Sequence, residues 1–156
     1  MISTHIDGHR FQLRAAAVFV HDGAVLLHRA PGDDFWALPG GRVEAGEDAA
    51  TTVVREMQEE LGEAVQCERL LYTVEAFFHH LGSPNHEIGL YFLAHLPASS
   101  PLLDKQRIHA GVEGDKKLEF AWFSLSDLGD VNLCPSFLRD ALNEPGLPFR
   151  HVVQHG

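Results

Sequence analysis

The chain has 156 residues, 45% of them hydrophobic and 22% charged, enough to build one core and unlike a disordered or fibrous chain. Twelve Lys and Arg stand against 22 Asp and Glu, a net charge of −10. That balance opposes binding of nucleic acid through a broad basic surface, and a phosphate-bearing ligand would need help from a cation.

No apolar run approaches the roughly 20 residues of a membrane helix, and MISTHIDGHR holds no apolar signal-peptide stretch. A cytoplasmic chain with one domain over 1–156 is the expectation. Cys67 and Cys134 are too few for a disulfide framework or a four-cysteine zinc site, and read as reduced core thiols. Phe11–Val20 reads as a strand, His21–Ala24 as a tight turn with Gly23 at positive φ, and Val25–Arg29 as the returning strand. Pro31–Asp34 breaks the pattern before a short strand at Trp36–Leu38 and the glycine-rich Pro39-Gly40-Gly41. From Asp48 to Leu61 the period becomes helical, with Ala50, Val53, Val54, Met57 and Leu61 on one apolar stripe and Gly62 as terminator. Leu70–Phe78 and Glu87–Leu96 read as strands joined around Gly82–Asn85, the second with Ile88, Leu90, Phe92, Ala94 and Leu96 on its apolar side. Pro97–Lys117 reads as a long irregular stretch, Leu118–Leu125 as a last strand and Ser136–Asn143 as a short helix, followed by a tail. The class is α/β or α+β.

Half of the net charge is local. Between Gly41 and Glu63 there are seven acids and two bases, Arg42 and Arg55. Glu56, Glu59 and Glu60 stand at i, i+3 and i+4 beside the apolar stripe, where each like-charge pair costs roughly 0.2–0.5 kcal/mol in an isolated helix. Clustered carboxylates suit a hard divalent cation such as Mg2+. From the helix alone a solvated acidic face is the better explanation, since Glu is a good helix former and common on surfaces. The preceding glycines, which permit close backbone approach to a ligand, and the Glu47–Arg55 pairing across the loop–helix element tip the balance.

These residues also resemble a family. Gly41–Glu63, GRVEAGEDAATTVVREMQEELGE, resembles the Nudix box, G-x5-E-x7-R-E-U-x-E-E-x-G-U with U aliphatic. Gly41, Glu47, Arg55, Glu56, Met57, Glu59, Glu60 and Gly62 fit it, and Glu63 departs from it, where altered local packing is the expected effect. WALPGG before the box and LEFAWFSLSDL near the C-terminus extend the resemblance over most of the chain. It implies an α/β fold, the Nudix-type α/β/α sandwich with a mixed central sheet. The implied activity is hydrolysis of a diphosphate linkage in a nucleoside diphosphate joined to another group, with Mg2+ or Mn2+.

The resemblance also implies roles. Glu56, Glu59 and Glu60 hold the divalent ion with the Gly40 carbonyl, Glu59 is the favoured base with Glu56 as alternative, and Gly41, Glu47, Arg55 and Gly62 are structural. An extra metal carboxylate from outside the box is sought at Glu119, with Glu113 and Asp115 as alternatives, each weighed against an ordinary surface acid. Arg29 and Arg42 are candidates for binding substrate phosphates or, equally, solvated charges. The expected partner is a small nucleoside-diphosphate-type substrate, with neither nucleic acid nor membrane, and a homodimer stays open. His79, His80 and His86 lack zinc-site spacing. Phe77, Phe78 and Tyr91 offer base-stacking faces or ordinary core. A non-catalytic nucleotide-binding or sensor module is the competing function, and loss of a box carboxylate would favour it; none is lost. An RNA-end processing enzyme would want a basic extension, and this chain has none.

Overall fold

Two tight turns fold the N-terminal half into hairpins, because Asp7-Gly8 and Asp22-Gly23 each place two successive residues at positive φ, the conformation that two-residue hairpin loops require. In the computed structural model, which describes residues 1–156, they join β1 (Ser3–Ile6) to β2 (His9–Val18) and β3 (Val20–His21) to β4 (Ala24–Arg29). The chain continues through β5 (Gly40–Arg42), α1 (Ala49–Leu61), β6 (Gln66–His80), β7 (Ser83–His95), β8 (His109–Glu113), β9 (Lys116–Ser124), α2 (Leu138–Ala141) and β10 (Arg150–His155). Short 3₁₀ turns occupy Pro101–Leu103 and Leu125–Asp130.

The strands form two sheets. One runs β1-β2-β7-β6-β10 with β5 paired to β2, and the other runs β3-β4-β9-β8. The first is mixed, since β2 pairs β7 and β6 pairs β10 in parallel while its other pairs are antiparallel. This mixed sheet with helices is the α/β architecture expected. No helix is long and apolar enough to cross a membrane.

Strand β2 separates two hydrophobic clusters. Ala15 and Ala17 join Val53 and Met57 of α1, Leu26 and Phe120 on one face. Ala16 and Val18 join Leu27, Tyr72, Tyr91 and Leu133 on the other. Small side chains at Ala15 and Ala17 let the helix backbone come close to the sheet.

Helix α1 begins at Asp48, whose side chain accepts from Thr51 N at 2.8 Å, and ends at Gly62 with φ 70°. Gly62 N–H donates to Gln58 O and Glu63 N–H to Met57 O, closing the last turn. The helix is not seated on the middle of its apolar stripe. Val54 is exposed, whereas Thr52, Val53, Met57 and Glu60 are buried. Relative to the stripe read from sequence, the helix is rolled by roughly a quarter turn toward its carboxylate edge.

Other departures have local causes. The β6–β7 turn falls at Leu81-Gly82, both at positive φ, so Ser83, Pro84 and Asn85 belong to β7. Its deeply buried face is Asn85, Glu87, Gly89, Tyr91 and Leu93 rather than the Ile88–Phe92 side, because the strand is packed on both faces, with Tyr91 and Leu93 in one cluster and Phe92 and Ala94 against the other. Pro97–Lys117 is not all irregular: β8 forms a hairpin with β9 across Gly114-Asp115. The C-terminal tail adds β10 in parallel beside β6. Cys134 is exposed and Cys67 only half-buried, so neither is a core thiol.

Replacing Gly62 with Ala forces a side chain into the left-handed region and should cost about 1 kcal/mol of stability in urea denaturation. An unchanged midpoint would show that this helix end does not depend on the glycine.

Candidate active site

Arg55 organises the box. Its Nε and Nη2 donate to the two Glu47 oxygens at 2.8 and 2.9 Å, and its Nη1 donates to Glu56 at 2.9 Å. Nη1 lies 3.4 Å from both Glu59 oxygens, and Nη2 donates to the Arg42 carbonyl at 3.3 Å. Glu47 also accepts from the buried Thr52 hydroxyl at 2.6 Å. These donors, Arg55 first, hold the Glu47 carboxyl down at about 2.

The glycines set the distance between loop and helix. A Cβ on Gly41 would stand 2.3 Å from the Glu56 carboxyl carbon, and one on Gly40 would stand 2.1 Å from the Ala15 carbonyl oxygen. Ala17 N–H donates to Pro39 O and Val43 N–H to Leu13 O, so in the alternating antiparallel ladder Gly40 pairs with Ala16 without hydrogen bonds. Its carbonyl is therefore left on the edge that also presents the Arg42 carbonyl to Arg55.

The three helix carboxylates differ in exposure. Side-chain exposure is 59% at Glu59, 13% at Glu56 and 1% at Glu60. Neither Glu60 oxygen has a hydrogen-bond partner. Burial, and then Glu56 one turn back, raises the Glu60 carboxyl far above the ordinary carboxylate range. No three side chains of the His, Cys, Asp or Glu type stand together at metal-holding distance, and Glu56 and Glu59 are both engaged by Arg55. The site nevertheless fits a hard cation: it offers two unpartnered buried oxygens, a second carboxylate against a glycine that admits no side chain, and a free carbonyl.

Outside the box, placement follows strand parity. Glu119 donates nothing to this cluster. It accepts from Arg29 Nε at 3.0 Å on the sheet face opposite Phe120, and Phe120 is the residue packed with α1. The structure therefore turns Glu119 away from the helix carboxylates, correcting its choice as the added metal ligand. Glu113 shares a face of β8 with Gly111, whose missing Cβ would stand 2.9 Å from the Glu60 carbonyl. Its charge contributes to raising Glu60, so Glu113 is the carboxylate from outside the box that faces this end of the helix. Asp115 sits in the turn beyond it.

Arg29 is held by Glu119, by the Asp33 carbonyl at 3.3 Å and over the Trp36 ring at 4.4 Å. Arg42 lies at the surface, with Nη1 beside Met1 Sδ at 3.1 Å. Phe77 is flanked by the rings of His86 and His155, and Tyr91 is buried, so these aromatics present no shared platform.

Sequence reasoning missed two residues. Arg14 donates to the Leu38 carbonyl at 2.9 Å, and its charge bears on both Glu60 and His28. A charge inside the apolar run FQLRAAAVFV was its signal. His28 is buried beside Glu60, and burial, then Arg14, lowers its imidazole to about 3. It is the lone polar residue on the inward side of β4, in step with Leu26.

Glu47→Gln removes the depressed carboxylate. The stabilisation from Glu47 is complete above its ordinary value of 4.5 and is lost as pH falls through about 2. The variant should melt several degrees below wild type at pH 7, and the gap should close between about pH 4.5 and 2. A gap independent of pH would show that the glutamate acts through packing alone.

The NUDIX domain model matches residues 11–141. Bacillus subtilis YjhB, which carries the provisional name of an ADP-ribose pyrophosphatase, is 39% identical over 76 residues, 48% of this chain. That match spans 36% of the relative's own length. A MutT NUDIX hydrolase from Burkholderia pseudomallei is 33% identical with a TM-score of 0.54, over 74% of this chain and 84% of that one. An ADP-ribose pyrophosphatase from Streptococcus suis shares the fold at a TM-score of 0.59 and 17% identity, over 92% of this chain and 98% of that one. With a matching family model over most of its length and every carboxylate of the box in place, the chain belongs to the Nudix hydrolase family.

Proposed function

We propose that this protein is a divalent-metal-dependent pyrophosphohydrolase that cleaves the diphosphate linkage of a nucleoside diphosphate joined to another group, by attack of water on phosphorus. The observation that carries the reading is Glu60: a carboxylate buried on a helix, with both oxygens unpartnered, is tolerated where a cation completes it. The names of the Bacillus and Streptococcus relatives support a substrate of the ADP-ribose type.

Glu60, Glu56 and the Gly40 carbonyl would hold Mg2+ or Mn2+, with Glu113 beside them. When bound, such an ion offsets the charge of the diphosphate and makes water more acidic. Glu59 is the most exposed of the three carboxylates and takes the proton of the attacking water, with Arg55 keeping it on the site side of the helix; Glu56 is the alternative base. Glu47 and Arg55 hold loop and helix in register, so that the base and the ligand carboxylates stay one turn apart.

The test is hydrolysis of ADP-ribose, nucleotide sugars, dinucleotide polyphosphates, NADH and nucleoside triphosphates with Mg2+ or Mn2+ in ¹⁸O-water. Label should enter a phosphate product, and chelation should abolish turnover. Turnover of none of these compounds, full activity after chelation, or label on a sugar carbon would reject the reading.

Glu60→Gln separates catalysis from folding. Without metal, burial and Glu56 already hold Glu60 toward its neutral form, so the isosteric amide should melt at or slightly above the wild-type temperature. With Mg2+ in excess, wild type should gain stability by mass action and the variant much less, while turnover falls by roughly 10²-fold or more. Glu63→Gln, beyond the helix end, is the control. Equal turnover and equal Mg2+-dependent melting shifts in both variants would reduce the acidic face to a solvated surface.

A further inference from the structure

His28 has no part in the reading above, yet it occupies the other side of the Glu60 carboxylate. Its Nδ1 lies 3.8 Å from Glu60 Oε1, just beyond hydrogen-bond range; no N–H or O–H donor reaches either Glu60 oxygen, whose other neighbour is the Glu56 carboxyl, and the nitrogen has no other partner. The side chains are 11% and 1% exposed. Three unpartnered polar atoms in one buried spot are costly unless they are used together.

We propose that His28 is the positioning residue for Glu60, its Nδ1–H donating to Oε1 so that Oε2 is presented to the cation. The inference rests on the metal-holding role proposed for Glu60.

Three features support it. The ring is fixed from behind: His28 exchanges backbone hydrogen bonds with Ala37 at 2.8 and 3.0 Å, and Phe120 packs 5.4 Å from its centroid. The carboxylate is not fixed, since the terminal torsion of a glutamate is broad, and a small change in it closes the gap to Nδ1. The neighbouring cation does not take this role: Arg14 donates to the Leu38 carbonyl and makes no hydrogen bond to Glu60. A neutral donor is also the suitable partner, because a charged one would compete with the ion for the same oxygens.

The experiment is a Mn2+ titration of the full chain without substrate, followed by electron paramagnetic resonance, on wild type, His28→Asn and His28→Leu. Asn places an amide N–H where Nδ1–H stands, and Leu fills space without a donor. Wild type is measured first, and no Mn2+ binding there would remove the metal reading itself. Given binding, His28→Asn should stay within about threefold of wild-type affinity and His28→Leu should lose about tenfold or more. The wild-type spectrum should show no directly coordinated nitrogen. Wild-type affinity in His28→Leu, or equal loss in both variants, overturns the proposal. So does a nitrogen coupling that His28→Leu abolishes, because the ring would then be a ligand. If His28→Leu does not fold, His28→Gln replaces it, since its amide falls at the Nε2 position and should lose affinity in the same way; wild-type affinity in it overturns the proposal too.

Discussion

The guanidinium of Arg55 is the interaction on which the site depends. It binds Glu47 ahead of the helix, Glu56 and Glu59 on it, and the Arg42 carbonyl on β5, so one cation spans the loop, the strand and the helix. The forked contact to Glu47 fixes orientation as well as distance, and a lysine could not reproduce it. Because loop and helix are locked in this way, Gly41 sits against the Glu56 carboxylate, and glycine there becomes a steric necessity. The same lock keeps the acids of the box together in spite of their mutual repulsion.

One guanidinium does not neutralise what the helix collects. Glu56, Glu59 and Glu60 lie in its second half, near the negative end of the helix dipole, and Glu113 approaches from β8. Arg14 is the nearby positive charge, and it is occupied by the Leu38 carbonyl. The helix also turns away from its apolar midline so that Glu60 is buried while Val54 stays in solvent. Folding for stability alone would favour the opposite rotation, because burying Val54 is favourable and burying a carboxylate is costly. The rotation therefore leaves a buried carboxylate that stability alone does not explain.

Local signals in the sequence are legible where one interaction decides the outcome. Asp48 and Gly62 bound the helix, Asp22-Gly23 turns β3 into β4, and Glu47 meets Arg55, because caps, two-residue turns and charge pairs act over a few residues. The roll of α1 was not legible, since the five apolar residues from Ala50 to Leu61 describe a stripe whose centre is not the seat the sheet provides. Nor were the faces of β7: an apolar alternation at Ile88, Leu90 and Phe92 loses its meaning when a strand is covered on both sides. Strand β10 is not legible because its parallel partner, 78 residues away at Arg150↔Tyr72, leaves no local turn signal. His28 and Arg14 were visible as polar residues in apolar strands, but what they face depends on the packing of a helix from elsewhere in the chain.

Parity ties these observations together. On β9, Phe120 packs under α1, so Glu119 must point to the other face, where Arg29 of β4 meets it. On β4 the same alternation sends His28 toward Glu60 and Arg29 away from it. On β8 it sends Gly111 and Glu113 toward the helix. A slip of one residue in the β4–β9 pairing would put Glu119 under the helix and expose Phe120, exchanging a buried aromatic for a second buried carboxylate. No turn joins β4 to β9, so the burial of Phe120 enforces that register, while the turn at Gly114 fixes the pairing of β8 with β9. The carboxylates of the helix are thus selected by the box, whereas the residues that meet them from the sheets are selected by strand alternation, one turn and one phenylalanine.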